Sequence, residues 1–256
     1  LLVTGGCGFI GSNFVRYILH TYPTYSIVNL DKLTYAGTPE NLRDIENNPR
    51  YRFIKGDITD AGAVHDATES VDAIINYAAE THVDRSIHGD CIDFVMTNTY
   101  GVLMILNAIR KYGLEKFVNV STDEVYGSLD FEENRKFLET TAIDPNMPYA
   151  AAKAGGDMLC HAYYATHKLP IVVTHCSNNY GPYQYPEKLV PMSIFRLLKN
   201  RPIPMHGSGR NVRDWIYVRD HCAALDLMLQ KGAHGEVYNV GVDNEHSNLE
   251  IAKMIL

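Results

Sequence analysis

The sequence predicts an α/β protein in which a doubly wound parallel sheet carries a smaller cap. Apolar strand candidates alternate with helical patterns at short spacing over the first two thirds of the chain. Strands that are apolar on both faces are typical of parallel sheets covered by helices on each side. Beyond Cys176 the alternation stops, and five prolines crowd the region from Pro182 to Pro204. We therefore expect the chain to leave the sheet there and to build a cap over the carboxyl ends of the strands, where folds of this class bind ligands.

The individual elements follow from short apolar runs and helical periodicity. The strand candidates are Leu1–Thr4, Ser26–Leu30, Arg52–Lys55, Ala73–Asn76, Phe117–Val120 and Ile171–Thr174. The helical patterns are Phe9–His20, Phe94–Tyr112 and Tyr149–His167, followed by a strand and helix over Trp215–Gln230, a strand over Glu236–Val240 and a helix over Asn248–Leu256. These elements predict a first domain over 1–175, to which the chain returns at about 210–242, and a cap formed by 176–209 and 243–256. We expect the C-terminal part of the cap to be missing and the true N-terminus to precede Leu1.

The composition indicates a globular protein that binds neither nucleic acid nor membranes. Of the 256 residues, 46% are hydrophobic and 21% are charged, which is ordinary for a soluble domain. No window approaches the ~20 apolar residues that a bilayer span needs, and we expect no signal peptide, although Leu1 is not a start methionine. The net charge of −7 argues against nucleic acid. The five cysteines form no CxxC pair and the 11 histidines no HExxH motif, so we expect no metal site and a reducing cytoplasmic location.

A glycine-rich turn follows the first strand. Gly5, Gly8 and Gly11 match GxxGxxG, and Gly6, Gly8 and Gly11 also match GxGxxG, with Phe9 and Ile10 opening the next helix. Glycines let the backbone approach a pyrophosphate, whose charge then lies at the helix N-terminus. Taken alone, the match could also be a simple tight turn. Its context predicts a Rossmann-like domain that binds a dinucleotide.

The end of the second strand favours NAD over NADP. Asp31 lies twenty residues beyond Gly11, where a carboxylate accepts hydrogen bonds from a ribose hydroxyl and repels a 2′-phosphate. Lys32 beside it weakens this argument. The ends of the next two strands, Gly56-Asp57-Ile58 and Asn76-Tyr-Ala-Ala79, are expected to line the adenine and ribose; for Ala78 and Ala79 alone, simple helix–sheet packing is an equal alternative.

The pattern Tyr-x-x-x-Lys occurs four times, and only one occurrence suits catalysis. On a helix this spacing places a phenol and an ammonium on one face, and the cation stabilises a phenolate whose ordinary pKa is about 10. Tyr149 and Lys153 begin a helix after a proline, with three alanines between them. The other pairs are expected to be surface or packing residues: Tyr51/Lys55 in a strand, Tyr112/Lys116 across a helix end, and Tyr164/Lys168 at the far end of a helix.

A third set of polar residues follows the C-terminal end of the fifth predicted strand. Thr122 could contact a substrate hydroxyl beside Tyr149, while Asp123 and Glu124 are adjacent carboxylates at the ligand-binding edge. Different surroundings can leave one of two such carboxylates protonated and the other ionised. Alternatively, Asp123 could be a helix cap or turn residue and Glu124 a solvated charge.

Together these motifs resemble the extended short-chain dehydrogenase/reductase superfamily, and longer strings resemble the dTDP-glucose 4,6-dehydratase family. The resemblance runs from Leu1 to Leu256. The strings that carry it are Asp31-Lys-Leu-Thr-Tyr-Ala-Gly37, Glu80-Thr-His-Val-Asp-Arg-Ser86, Ser121-Thr-Asp-Glu-Val-Tyr-Gly127, Cys176-Ser-Asn-Asn-Tyr-Gly-Pro182 and Val212-Arg-Asp-Trp215.

The resemblance implies NAD-dependent dehydration of dTDP-glucose to dTDP-4-keto-6-deoxyglucose. Tyr149, assisted by Lys153 and Thr122, takes the C4 hydroxyl proton while hydride passes to NAD. Glu124 then removes the C5 proton, Asp123 protonates the departing C6 hydroxyl, and hydride returns to C6. The implied NAD contacts are Gly5, Gly8, Phe9, Ile10, Gly11, Asp31, Lys32, Thr34, Gly37, Asp57, Ile58, Ala78, Ala79, Thr97, Tyr149, Lys153 and Asn179. The implied nucleotide-sugar contacts are Thr81, Thr122, Asn178, Lys188, Leu189, Arg213 and Asn248; for Arg213 a surface ion pair with Asp214 is the alternative.

The remaining alternatives are other enzymes of the superfamily or a non-catalytic NAD sensor. UDP-sugar 4-epimerases lack the acidic couple, and GDP-mannose dehydratases and UDP-glucuronate decarboxylases have the glutamate without the preceding aspartate. The resemblance also implies a homodimer packed through the Phe94–Tyr112 and Tyr149–His167 helices. The preference for thymine over uracil and the downstream pathway stay open.

Overall fold

The structure is a computed structural model that describes residues 1–129, 136–205 and 207–256. The elements of the first half are β1 (Leu2–Thr4), α1 (Phe9–Thr21), β2 (Ile27–Asp31), β3 (Tyr51–Lys55), α2 (Ala61–Thr68), β4 (Ala73–Asn76), α3 (Val83–His88), α4 (Ile92–Val95), α5 (Val102–Tyr112) and β5 (Lys116–Thr122). Those of the second half are α6 (Pro148–His167), β6 (Ile171–Cys176), β7 (Asn178–Tyr180), α7 (Leu189–Leu198), β8 (Val212–Tyr217), α8 (Val218–Lys231), β9 (Val237–Val240), β10 (Glu245–Ser247) and α9 (Asn248–Ile255). Short 3₁₀ helices cover Pro39–Ile45 and Asp123–Tyr126, and a π-helical turn covers Met96–Gly101.

The large sheet confirms the predicted doubly wound parallel fold. Its seven strands lie in the order β3-β2-β1-β4-β5-β6-β9, and every neighbouring pair is parallel. The chain therefore winds outward from β1 in both directions, as in Rossmann-like folds. Ligands of such sheets bind outside the carboxyl ends of the strands near β1 and β4, where the strand order reverses.

Helices cover both faces of this sheet because successive residues of each strand point to opposite sides. Leu2, Ile74 and Phe117 are buried on one side, in a cluster with residues of α2, α5 and α6. Their chain neighbours, among them Val3 and Ile75, are buried on the other side with residues of α1 and α8. Full burial of one such side chain contributes roughly 1.5–3 kcal/mol, so these strands hold the carboxyl edge on a rigid base.

A smaller sheet follows the proline-rich region. β7 pairs with β8 in parallel and β10 pairs with β8 antiparallel, while α7 contacts α9. The chain returns to the large sheet through α8, which packs on α1, and through β9, which pairs with β6. β8 itself belongs to the smaller sheet, although it falls in the range predicted for the return. Residues 130–135 and 206 of the predicted domain ranges lie outside the described residues, and the division into domains stays a prediction.

One helical run departs from the expectation about membrane spans. Ile92–Tyr112, which joins α4, the π-helical turn and α5, is long and apolar enough to cross a bilayer by length and composition alone. Half of its apolar window is buried inside the protein. Its buried residues pack against the sheet and α6, and this packing accounts for much of its apolar character.

Candidate functional site

A cavity of about 620 Å³ lies along the carboxyl ends of the large sheet and reaches the smaller sheet. Of the predicted catalytic residues, Thr122, Glu124, Tyr149 and Lys153 line it, whereas Asp123 is not part of the lining and lies next to Glu124 in the chain. The lining includes all other predicted residues: Gly5, Gly8, Phe9, Ile10, Gly11, Asp31, Lys32, Thr34, Gly37, Asp57, Ile58, Ala78, Ala79, Thr81, Thr97, Asn178, Asn179, Lys188, Leu189, Arg213 and Asn248. A second cavity of about 710 Å³, at the amino ends of the strands, contains none of them.

The glycine turn forms a tight backbone cradle. Gly5 has a positive φ of +67°, and a Cβ atom on Gly11 would lie 2.4 Å from the Gly5 carbonyl oxygen. α1 begins at Phe9 directly after Gly8, which supplies no side-chain cap to the helix N-terminus. The uncapped amides and the helix dipole favour an anion at this place, so the turn fits a pyrophosphate.

Asp31 connects the glycine turn to the loop after β2. One carboxylate oxygen accepts a 2.9 Å hydrogen bond from the Cys7 amide, and the other accepts a 2.8 Å bond from the Leu33 amide. Burial raises the pKa of Asp31, and these two amides oppose the rise. Each oxygen keeps a further lone pair that can accept a ribose hydroxyl.

Lys32 is matched by two carboxylates. Its ammonium lies 3.5 Å from Asp57 and 3.5 Å from Glu80, and it donates a 3.4 Å hydrogen bond to the Thr97 hydroxyl. A lysine held between two carboxylates is poorly placed to attract a 2′-phosphate. The charge of Lys32 therefore does not weaken the argument from Asp31, and the site fits NAD better than NADP.

Several buried polar atoms of the lining have no hydrogen-bond partner among the described residues. They are the Tyr77 hydroxyl, the Asn179 side-chain oxygen and the Gln184 side-chain oxygen. Buried polar groups are normally satisfied, so orphaned atoms on a cavity wall point to a polar ligand. Together with the glycine cradle, they show that the residues present fit a dinucleotide.

Tyr149 and Lys153 lie at the start of α6, which begins with Pro148 at a position where proline is tolerated. Both side chains are buried, and the Lys153 ammonium donates a 2.7 Å hydrogen bond to the Val120 carbonyl. Burial, followed by the charge of Glu124, raises the pKa of Tyr149 well above its ordinary value, and burial lowers the pKa of Lys153. A neighbouring cation is therefore essential if the phenol is to act as a base.

The other three Tyr-x-x-x-Lys pairs lie away from the cavity. The Tyr51 hydroxyl accepts a hydrogen bond from Asn29, and the Lys116 ammonium donates to the Gly232 carbonyl. Lys168 lies over the ring of Tyr164 just beyond the end of α6. These contacts are structural, as the sequence analysis expects.

Thr122 ends β5 and caps the 3₁₀ helix Asp123–Tyr126. Its hydroxyl oxygen accepts a 3.3 Å hydrogen bond from the Glu124 amide and donates a 3.3 Å bond to Asp123. Asp123 is therefore not itself the cap. Burial and then the charge of Glu124 raise the pKa of Asp123 to about 6, against the opposing charge of Arg213. Burial also raises the pKa of Glu124, against Arg213 and Lys188.

Two cations, Arg213 and Lys188, line the part of the cavity that is formed by the smaller sheet and its helices. Arg213 donates to the Val212 carbonyl, while both oxygens of Asp214 accept backbone amides, of Val242 at 2.9 Å and of Asn244 at 2.7 Å. Asp214 is thus engaged with the backbone, and the alternative of an Arg213–Asp214 surface pair does not describe this arrangement. Lys188, Leu189 and Asn248 mark the N-terminal ends of α7 and α9 in the lining. The geometry suits a diphosphate.

Sequence reasoning missed part of the lining. The missed polar and aromatic residues are Ser121, Cys176, Ser177, Gln184, Tyr185, Glu187, Asn211 and Trp215. Ser121, Cys176, Ser177 and Trp215 lie inside the strings already singled out, so their position was a usable signal. Gln184 and Tyr185 lie in the proline-rich region, where irregular backbone gives no periodicity from which to predict orientation.

Comparison with known proteins places the chain among sugar-nucleotide dehydratases. The model of the GDP-mannose 4,6 dehydratase family matches residues 2–256. A dTDP-glucose 4,6-dehydratase from Streptomyces niveus is 49% identical over 260 residues, covering 100% of this chain and 76% of the relative. The low-salt glycan biosynthesis protein Agl12 from Haloferax volcanii is 49% identical over 256 residues, covering 100% of this chain and 81% of the relative.

Solved structures also indicate that the chain is similar to dTDP-glucose 4,6-dehydratases. The crystal structure of dTDP-glucose 4,6-dehydratase from Bacillus anthracis str. Ames in complex with NAD has a TM-score of 0.93 and 48% identity, covering 99% of this chain and 79% of that one. The chain belongs to the dTDP-glucose 4,6-dehydratases, within the extended short-chain dehydrogenase/reductase fold.

Proposed function

We propose that this chain converts dTDP-glucose to dTDP-4-keto-6-deoxyglucose with bound NAD, using Tyr149, Lys153, Thr122, Asp123 and Glu124. The observation that carries the proposal is the meeting of two chemical sets at one cavity. Tyr149, Lys153 and Glu124 line the cavity together, next to a cradle that fits a dinucleotide, and Asp123 adjoins Glu124 in the same 3₁₀ turn. An epimerase needs only the first set, whereas elimination of water needs an acid and a base at neighbouring carbons.

The first set serves the oxidation at C4. Bound NAD supplies the chemistry of accepting hydride from C4 and returning it later to C6. Tyr149 acts as a phenolate that the charge of Lys153 stabilises, and it becomes a neutral phenol when it takes the proton of the C4 hydroxyl. Thr122, which lies in the same wall, orients that hydroxyl.

The second set serves the elimination across C5 and C6. The ketone formed at C4 acidifies the C5 proton, which Glu124 removes from inside the cavity. Asp123, which shares a hydrogen bond with Thr122, gives its proton to the C6 hydroxyl, which leaves as water. The raised pKa of Asp123, about 6, keeps a fraction of this acid protonated near neutral pH. Glu124 then returns its proton to C5. Tyr149 still holds the proton of the C4 hydroxyl and Asp123 has lost the proton carried away in water, so transfer of one proton from Tyr149 to solvent and of one from solvent to Asp123 restores both groups.

The nucleotide half of the substrate is assigned to the smaller sheet and its helices. Arg213 and Lys188 are cations in the lining, and the N-termini of α7 and α9 point their dipoles to the same region. A guanidinium matches a diphosphate with two parallel hydrogen bonds. The acidic protein thus meets its anionic substrate locally. This role of 176–209 and 243–256 is also the basis of the proposed cap, whose boundaries limited proteolysis would test.

We also propose a cytoplasmic homodimer. A stripe of exposed apolar side chains follows one side of the helical run: Ile92 is 63% exposed, Val95 50%, and Tyr100 38%. Met158 on the neighbouring helix α6 is 49% exposed. A contiguous exposed apolar face of this kind is typical of an interface between subunits. All five cysteines are free, which supports a reducing compartment and predicts recovery in the cytoplasmic fraction.

The experiment that tests the proposed reaction is incubation of the full-length protein with dTDP-glucose and NAD. Mass spectrometry should show a product lighter by one water, with no net formation of reduced coenzyme. A product of unchanged mass would instead indicate epimerisation.

A further inference from the structure

A chain of buried polar side chains crosses the sheet behind the cavity and reaches a carboxylate to which the proposed reaction gives no role. Thr4 donates to Asn76, Asn76 donates to Asn119 at 2.9 Å, and Asn119 donates to Asp157 at 3.0 Å. Asp157 is 3% exposed and lies on α6, four residues after Lys153. Residues four apart on a helix lie on the same face.

Asp157 is fixed by contacts to two strands. One oxygen accepts the hydrogen bond of Asn119, and the other accepts a 2.6 Å bond from the Ser121 hydroxyl. The same second oxygen lies 3.2 Å from the His175 Nε2 atom on β6. An ionised carboxylate only accepts hydrogen bonds, and this arrangement supplies donors from β5 to both of its oxygens.

Lys153 has few sources of negative charge. Burial lowers its pKa, and the largest opposing influence is Asp157, followed by Cys176 on β6 and Cys160 on α6. Burial raises the pKa of the Cys176 thiol to about 12 and that of Cys160 well above its ordinary value, so both thiols are neutral at neutral pH. Among the groups acting on Lys153 in the described part of the chain, Asp157 is therefore the effective anion.

We propose that Asp157 is a positioning residue, fixed by Asn119 and Ser121, whose charge holds the Lys153 ammonium in its charged form beside Tyr149. The role rests on the proposed function in so far as Lys153 assists Tyr149. The charge pairing itself is a property of the folded chain and can be measured without substrate. Asp157 touches no reacting atom, because it lies behind the wall formed by Ser121 and Lys153.

The far end of the network offers a matched control. His175 Nδ1 lies 2.7 Å from the Tyr126 hydroxyl, which donates a 2.9 Å hydrogen bond to Asn239. Tyr126→Phe removes a hydrogen-bonding member of the same buried network and leaves the Asp157 charge in place. Burial raises the pKa of Tyr126 to about 12, and the phenol of the unfolded chain ionises near 10, so this group is neutral in both states below about pH 9.

The first test is the free energy of unfolding of the ligand-free protein, measured between pH 7 and about pH 9, where Tyr126 is neutral in both the folded and the unfolded state. Asp157→Asn should cost most at pH 7, and its deficit should shrink as the pH rises, because Lys153 then loses its proton in the folded protein and no longer needs a counter-charge. Tyr126→Phe should give a deficit that does not change with pH. Parallel, pH-independent deficits for both variants would overturn the proposal.

If Asp157→Asn does not fold, the double variant Asp157→Asn/Lys153→Met decides the matter. Removing the ammonium together with its counter-charge should restore a folded protein, whereas failure of the double variant to fold would contradict the pairing. In a folded Asp157→Asn protein, the alkaline limb of the pH–rate profile for C4 oxidation should move down by about one pH unit or more, with little change in KM. If the parent protein does not dehydrate dTDP-glucose, but Asp157→Asn still shows the pH-dependent loss of stability, the proposed function is contradicted and the pairing of Asp157 with Lys153 stands.

Discussion

Asp123 and Glu124 are neighbours in one 3₁₀ turn, yet only Glu124 lines the cavity, while Asp123 accepts a hydrogen bond from Thr122. The two carboxyl groups therefore have different surroundings. Burial raises the pKa of Glu124, but the charges of Arg213 and Lys188 oppose this rise, whereas burial and then the Glu124 charge raise the pKa of Asp123 to about 6. Such a division gives one base and one acid from adjacent residues.

We expect Asp123→Asn and Glu124→Gln each to slow formation of the dehydrated product by about 10²–10⁴-fold, the usual contribution of a positioned acid or base. Both changes keep the shape of the side chain and lie away from the glycine cradle. Affinity for NAD, measured by titration calorimetry, should therefore change little. A comparable loss of coenzyme binding would contradict the assigned roles.

Asp123→Asn should also stabilise the protein near neutral pH. The pKa of Asp123 is raised in the folded state, so its folded form binds more protons than the unfolded chain, and its contribution to stability falls as the pH rises from about 4 to about 6. Above about pH 6 the ionised Asp123 lowers the free energy of unfolding by its full amount, on the order of 2–3 kcal/mol at about 1.4 kcal/mol per pKa unit. Urea unfolding should show this gain at pH 7.5 and its disappearance below about pH 4. A loss of stability at pH 7.5 would show that the Thr122 hydrogen bond outweighs the burial of charge.

Coenzyme preference should respond in opposite directions to two neighbouring substitutions. Asp31→Asn removes the charge that repels a 2′-phosphate, so the ratio of affinities for NAD and NADP should fall by about tenfold, equivalent to ~1.4 kcal/mol. Lys32→Gln leaves Asp57 and Glu80 without their cation and should raise the same ratio. Binding of both coenzymes is measured by fluorescence titration. Movement of both variants in one direction would exclude this account of the ribose site.

The proposed dimer face predicts a change of assembly. A charge introduced by Val95→Asp lies in the exposed apolar stripe and should shift the protein toward a monomer in light scattering. The matched control is Leu198→Asp, because Leu198 is 80% exposed on α7, outside that stripe. The control should keep the assembly of the parent protein. A parent protein that is monomeric at all concentrations would exclude the dimer.

The sequence predicted the parallel sheet correctly because each strand is short, apolar on both faces and separated by helical periodicity. The position of the glycine turn and of Asp31 at the cavity could be predicted for a similar reason, since both follow from local backbone geometry and from a fixed place at a strand end. Tyr149 could be distinguished from the other three tyrosines by Pro148 and the alanines beside it. Its relation to Glu124, by contrast, came from family resemblance.

Other features depended on contacts that are distant in the chain. The assignment of β8 to the smaller sheet is set by its pairing with β7 and β10, which no local pattern in Val212–Tyr217 reveals. The pairing of Lys32 with Glu80 joins the ends of two strands. Asp157 attracted no notice in the sequence, because a single aspartate within a helix is ordinarily a surface charge. Only its burial against Asn119 and Ser121 shows otherwise.

The most direct test of the proposed reaction follows the hydrogen atom at C4 of the substrate into the product. dTDP-glucose carrying deuterium at C4 is converted by the full-length protein with NAD, and the product is examined by NMR and mass spectrometry. The account predicts a product that has lost water and carries the deuterium at C6. Deuterium released to solvent, or found in free reduced coenzyme, would contradict the internal return of hydride on which the whole assignment depends.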